Sequence, residues 1–222
     1  MRSKERARDL GEVFTAEREV NAMLDLARDI NYASRFMEPG CGSGNFLVVI
    51  LERKLALVRA LPEVRAAKGI GRQAEYETKS LIALASIYGI DIDTVNITEA
   101  RERLSAVMLR EYAALRPKLA PSPEYAGAVA EILSTNIVLG DLLGDLKKIK
   151  LTEYTELAGH KIKRRLYRFD ELIYPVAEVL GSQPVLLPHV PTPYGELPAV
   201  SYRSLAPHRT GAADRVDGET TS

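Results

Sequence analysis

The spacing of apolar and polar positions changes several times along the chain, and each change marks an element. Over about 16–29, Val20, Met23, Leu24 and Ala27 recur at helical spacing, with Thr15 placed to cap the first turn and Glu17 and Glu19 near the positive helix end. Arg35 to Met37 reads as a short strand, Glu38 to Gly44 as a glycine-rich loop, and Phe46 to Arg59 as a helix with Leu47, Leu51, Leu55 and Val58 on one face. A second helix from about Gln73 to Ser86 leads into the apolar strand Ile87 to Ile90, which ends in Asp91 and Asp93. Ile97, Ala100, Leu104, Met108 and Tyr112 then stay in register along a long helix. Pro117, Pro121 and Pro123 interrupt that pattern, a short helix carries Val129 to Leu133, and Asn136 to Leu139 is a third strand ending at Gly140 and Asp141. Strands alternating with helices predict an α/β fold, a partial parallel sheet flanked by helices.

From Ile149 the period shortens to that of strands. Ile149, Leu151 and Tyr154, then Ala158-Gly159-His160-Lys161, then Ile162 to Phe169 predict a β-hairpin near 149–169 around a turn containing glycine. The last 42 residues hold six of the twelve prolines, so a disordered, proline-rich tail is expected over 181–222. At roughly 100 to 200 residues per domain, one core is expected. The expected organisation is an N-terminal arm over 1–15, a core domain over 16–146, a basic extension over 147–180, and the tail.

Charge narrows the partners. Thirty Lys plus Arg balance thirty Asp plus Glu, so no global field draws the molecule to nucleic acid or an acidic membrane, and any such contact must be local. The densest basic stretch is the hairpin region, where Lys161, Lys163, Arg164 and Arg165 are candidates for phosphate contact; Glu153, Glu156 and Asp170 dilute it, and a solvated face is the other reading. The longest apolar run, Phe46 to Leu51, is far below the roughly 20 residues of a membrane helix, and no apolar stretch follows the charged start, so a cytoplasmic protein is expected. One cysteine, Cys41, and three scattered histidines signal neither a disulfide nor a metal site.

The chemistry concentrates in Glu38-Pro39-Gly40-Cys41-Gly42-Ser43-Gly44, because a glycine turn between strand and helix lets backbone amides approach a ligand that a Cβ would hold off. Its spacing is GxGxG rather than the dinucleotide GxGxxG, no GK[ST] follows for a nucleotide phosphate, and Ser43 lacks the flanking glycines of a nucleophile elbow. Asp91 and Asp141 end the next two strands. In an open parallel sheet ligands bind beyond the carboxyl ends of the strands, so Asp91 could accept from ribose hydroxyls and Asp141 from an adenine amino group.

These segments together resemble the adenine-specific (N6) DNA methyltransferases of restriction-modification systems. The resemblance runs from Gly11-Glu12-Val13-Phe14-Thr15, similar to that family's GxxFTP segment, through Phe36 to Leu47, similar to DPxxGSGxFL, to Tyr88 to Asp93 and Asn136 to Asp141. It implies a Rossmann-like class I methyltransferase fold, S-adenosyl-L-methionine as cofactor, and a site formed by Phe14, Thr15, Glu38, Gly40, Gly42, Gly44, Asp91 and Asp141. Ala16 stands where proline is usual and Glu38 where aspartate is commoner. The family's [NDS]PP[YF] catalytic signature is absent, since no two prolines are adjacent, and no catalytic residue is identified. Pro191-Thr192-Pro193-Tyr194 is the nearest imitation. The expectation is therefore a cofactor-binding methyltransferase subunit that acts on DNA in a complex, with the catalytic motif and target reader on a second polypeptide. A non-catalytic assembly subunit or truncated remnant is the alternative, and methyl transfer to a small molecule or protein is a third reading.

Overall fold

The computed structural model describes residues 17–27, 29–115, 120–173, 177–180, 183–186 and 190–205. Helix α1 (Glu17–Leu26) buries Val20 and Leu24, while Met23, expected on the same face, stays exposed. Phe14 and Thr15, with the capping role expected of Thr15, lie outside the described residues.

The strands β1 (Phe36–Pro39), β2 (Ile87–Asp91) and β3 (Ile137–Leu139) form a parallel sheet in the order β1-β2-β3, with Phe36 opposite Ile87 and Gly89 opposite Ile137. Between β1 and β2 run α2 (Asn45–Ala60), α3 (Pro62–Ala66) and α4 (Gly69–Ala85), and between β2 and β3 run α5 (Thr94–Leu115) and α6 (Pro123–Asn136). The fold is mixed α/β, a three-stranded parallel sheet flanked by helices. The segment read as a short helix at 129–133 is the middle of the longer α6. Pro123 occupies its first turn, where a missing N–H costs nothing, and the Ser122 hydroxyl accepts from Tyr125 N at 3.1 Å.

One sheet face packs closely on α2. A Cβ at Gly89 would come within 2.8 Å of Leu47 Cδ1, so helix and sheet approach as near as they do only because that position is glycine. The other face, through Tyr88 and Ile90, packs on Ile149, Leu151 and Phe169 as a second, smaller core.

Those last residues belong to the hairpin and its flanks. Strands β4 (Lys150–Leu157) and β5 (Lys161–Arg168) pair antiparallel around a turn in which Gly159 and His160 both have positive φ. The helix α7 (Phe169–Ile173) follows, and β6 (Ala177–Leu180) pairs with β7 (Gln183–Leu186) as a separate two-stranded sheet. Strand β8 (Gly195–Ser201) then joins the outer edge of β5. This corrects the expected disordered tail over 181–222. Backbone pairing captures Gly195–Ser201 despite Pro198, and Tyr202 and Leu205 are 2% exposed, so the chain returns to the core where composition predicted none. Residues 206–222 lie outside the described residues.

The edge of β4 is held by side chains rather than by another strand. Asn136 donates from Nδ2 to Ala85 O at 2.9 Å and accepts Thr152 N at 3.1 Å, while Thr152 O accepts from the Tyr88 hydroxyl at 3.4 Å. The hairpin sheet therefore lies beside the parallel sheet without joining it, and neither edge of β1-β2-β3 meets another strand among the described residues. Among those residues no helix is long and apolar enough to cross a membrane.

Candidate functional site

Backbone hydrogen bonds bring the three strand ends together. Gly40 N and Cys41 N both donate to Ile90 O, at 2.8 and 2.9 Å, and Gly140 N donates to Asp91 O at 2.9 Å. Glu38, Gly40, Gly42, Asp91 and Asp141, distant in sequence, thus lie at one end of one sheet, the carboxyl end where ligands of open parallel sheets bind.

The loop between β1 and α2 is left-handed at alternate residues, with φ of 76° at Gly40, 52° at Gly42 and 80° at Gly44. Only glycine adopts such a run without strain. A Cβ built at Gly40 or Gly42 would meet nothing within 4 Å, so both positions open onto free space that a side chain would fill. Gly44 differs. A Cβ there would sit 3.0 Å from Ala100 Cβ on α5, so this glycine serves close packing of loop on helix rather than the open side.

Asp91 is 9% exposed, and its carboxylate already has partners: Oδ2 accepts Gly42 N at 2.8 Å, and Oδ1 accepts Asp93 N at 2.8 Å and Asn96 Nδ2 at 3.3 Å. A carboxylate has about four lone-pair positions. The free capacity on Oδ2 fits one hydroxyl, so accepting both ribose hydroxyls requires Asn96 or Asp93 N to give way. Asp141 is exposed, and its Oδ1 accepts Leu143 N at 2.9 Å, the turn-forming bond typical of aspartate. Asp93 Oδ1 accepts Val95 N at 2.8 Å and caps α5.

The strand ends themselves are acidic, and Arg103 of α5 brings a guanidinium to Ser43 O at 2.9 Å. The strand-end segments 38–44, 91–93 and 140–145 carry Glu38, Asp91, Asp93, Asp141 and Asp145 and no lysine or arginine. Desolvation raises the Glu38 pKa, and the buried Cys41 thiol is pushed up to about 12 by its burial and by the charges of Asp91 and Glu38. Cys41 is accordingly a small packed side chain, not a nucleophile. Such a rim disfavours a phosphate and favours a cationic ligand.

Sequence reasoning overlooked several groups here. Ile92, Leu139 and Leu143 are 65%, 53% and 100% exposed at this end of the sheet, apolar surface suited to a flat ring. The available signal was an isoleucine between two aspartates and a doubled leucine after Asp141. From α5, Asn96 also reaches the Asp91 carboxylate and Arg103 the loop at Ser43, and nothing in the local pattern announced them.

The four basic candidates are not gathered on one face. Register and alternation place Lys161, Lys163 and Arg165 on one side of β5 and Arg164 on the other, toward Glu131 of α6 at 3.6 Å. Lys163 and Arg165 pair with Glu196 at 2.7 and 2.8 Å, and Arg165 also faces Glu153. Carboxylates thus answer three of the four, which weakens any pull on a phosphate backbone.

A cleft of about 760 Å³ opens at the opposite end of the sheet, between α4 and the hairpin, lined in part by Tyr32, Arg35, Glu63, Lys79, Tyr154 and His160. Its two cations are already paired, Lys79 with Glu156 at 2.9 Å and Arg35 with Glu153, and its lining includes none of the predicted site residues. Volume and chemistry disagree, and the glycine cradle has the more specific chemistry. Among the described residues no group of three His, Cys, Asp or Glu side chains is placed to hold a metal ion. Comparison with protein-family models, curated proteins and solved structures found no match to this chain.

Proposed function

We propose that the chain is the S-adenosylmethionine-binding part of an adenine-specific DNA methyltransferase of the restriction-modification type, built on half of a Rossmann-like sheet. The observation that carries this reading is the cradle: two left-handed glycines open onto free space at the carboxyl ends of the strands, where the strand-end segments supply carboxylates and no lysine or arginine of their own. Bound S-adenosylmethionine supplies a methyl group activated on a cationic sulfonium. Gly40 and Gly42 leave room for the ligand's close approach, Asp91 offers its remaining lone pair to a ribose hydroxyl, and Asp141 can accept from the adenine amino group. Ile92 and Leu143 offer apolar contact to the ring. The carboxylate rim favours a cationic donor over the neutral thioether left after transfer.

The acceptor side is assigned to a partner. The chain has no [NDS]PP[YF] segment to receive a flipped adenine, and β1, the strand that carries the cradle, has an edge with no strand partner among the described residues. A second polypeptide that supplies the catalytic loop and the target reader would complete the enzyme, and DNA would be held chiefly by that partner. The same two observations support the second reading, a non-catalytic S-adenosylmethionine-binding or assembly subunit, or a remnant of a longer methylase.

Calorimetric titration of the purified chain with S-adenosylmethionine tests the site. Binding that weakens at least several-fold in Asp91→Ala supports it, by loss of a charge-assisted contact. No binding to well-folded protein overturns it. Radiolabelled methyl transfer to unmethylated DNA, with and without a host extract freed of nucleic acid, then separates the two readings.

A further inference from the structure

A loop with three left-handed residues has little intrinsic preference for one shape, so the shape must be imposed from outside. On one side the imposing group is Asp91, through Gly42 N. On the other it is α5. Asn96, Ala100 and Arg103 are spaced four and three residues apart, so they form one stripe on that helix. Asn96 holds the Asp91 carboxylate, and Ala100 packs under Gly44. Arg103 Nη1 donates to Ser43 O at 2.9 Å and to Asn45 Oδ1, and lies 3.4 Å from Ser43 Oγ. The guanidinium therefore grips the chain on both sides of Gly44, whose φ of 80° is the last turn before α2 begins at Asn45.

We infer that Arg103 is a positioning residue for the cradle: it fixes the exit of the glycine loop against α5 so that Gly40 and Gly42 stay open to the ligand. This rests on the S-adenosylmethionine reading, but it concerns a residue that does not face the ligand. A group acting through loop shape affects the cationic donor and its neutral thioether product alike, since both need the same cradle. A group acting through charge changes the ratio of their affinities.

The test combines ligand titration with hydrogen–deuterium exchange of the full chain and of Arg103→Gln and Arg103→Lys. In Arg103→Gln, S-adenosylmethionine and S-adenosylhomocysteine should weaken by the same factor, about tenfold, as expected for one lost charge-assisted hydrogen bond. Amides of residues 42–46 should exchange faster without ligand, while those of α6 keep their protection. Arg103→Lys should recover part of both effects, and it replaces Arg103→Gln if that variant does not fold. Tight binding by the unaltered chain with unchanged exchange and affinity in the variants overturns the positioning role alone. Weakening confined to the sulfonium ligand overturns it in favour of a charge effect. Faster loop exchange with no binding by the unaltered chain overturns the ligand reading and the positioning role with it.

Discussion

Asp91 and Glu77 are both buried carboxylates supplied with donors, yet the donors come from different distances. Asp91 accepts from Gly42 N, Asp93 N and Asn96 Nδ2, groups at the tips of neighbouring strands and the start of α5. Glu77, fully buried on α4, accepts from Gln73 Nε2 at 2.9 Å, the Tyr112 hydroxyl at 2.9 Å and the Tyr202 hydroxyl at 2.5 Å. Its partners thus come from α4 itself, from α5 and from the turn after β8. One carboxylate shapes a loop around open space; the other ties the returning C-terminal segment into the helical layer. The comparison teaches that a buried acid by itself identifies no function, and that what its donors surround decides the matter.

The largest effect should separate the two. Glu77→Ala leaves two buried tyrosine hydroxyls without their acceptor, and should cost about 3 to 5 kcal/mol in urea denaturation, enough to unfold a marginal domain. Asp91→Ala should cost clearly less, because its backbone donors lie nearer solvent. Equal losses would break the distinction.

Lys54 sharpens it next, as a fully buried charge with no carboxylate on it among the described residues: Nζ donates to Ser34 O at 2.6 Å and to Ser86 Oγ. Burial pushes its pKa down to about 7 from an ordinary 10.5. The unfolded chain therefore binds more protons than the folded one between those values, so stability should rise with pH from about 7 to about 10.5, and the destabilisation is complete below 7. Lys54→Met should remove that slope and raise neutral-pH stability by a few kcal/mol, on the order expected for replacing a buried charge held only by neutral groups among the described residues. Denaturation at pH 6.5, 8 and 9.5 measures both.

Smaller still, Gly42→Ala should cost about 1 kcal/mol for a left-handed non-glycine residue, since its Cβ meets no protein atom. It should nevertheless lower S-adenosylmethionine affinity at least tenfold by filling the cradle, a loss of binding out of proportion to stability. The smallest effect is kinetic. With its thiol pushed up to about 12, Cys41 should react with iodoacetamide at pH 8 far more slowly than free cysteine, and Asp91→Asn should speed it modestly by removing one of the two charges.

The strand-loop-helix around Glu38 to Gly44 was legible because glycine spacing, flanking apolar runs and turn chemistry all act within a few residues. The three strands and the hairpin were legible for the same reason. The tail was misread over 195–205 because proline content is a local property, whereas the capture of β8 depends on β5, some thirty residues earlier, and on Glu77, 125 residues from Tyr202. Arg103 was invisible as a site residue because a helix surface arginine is ordinary until its helix is placed against a particular loop. The four basic residues of the hairpin read as one patch because sequence proximity hides alternation, and only strand pairing assigns Arg164 to the opposite face.

By itself, then, the sequence determined the α/β alternation, the glycine-rich loop between strand and helix and the acidic strand ends, all of which follow from local sterics, periodicity and charge. Only the tertiary structure decided that the strands align as β1-β2-β3, that the hairpin packs across one face instead of extending the sheet, that Asp91, expected to accept from ribose hydroxyls, braces the glycine loop through Gly42 N, and that Tyr202 closes on Glu77. Those outcomes depend on which distant groups can satisfy buried donors and acceptors at once, and that constraint exists only when the whole chain is folded.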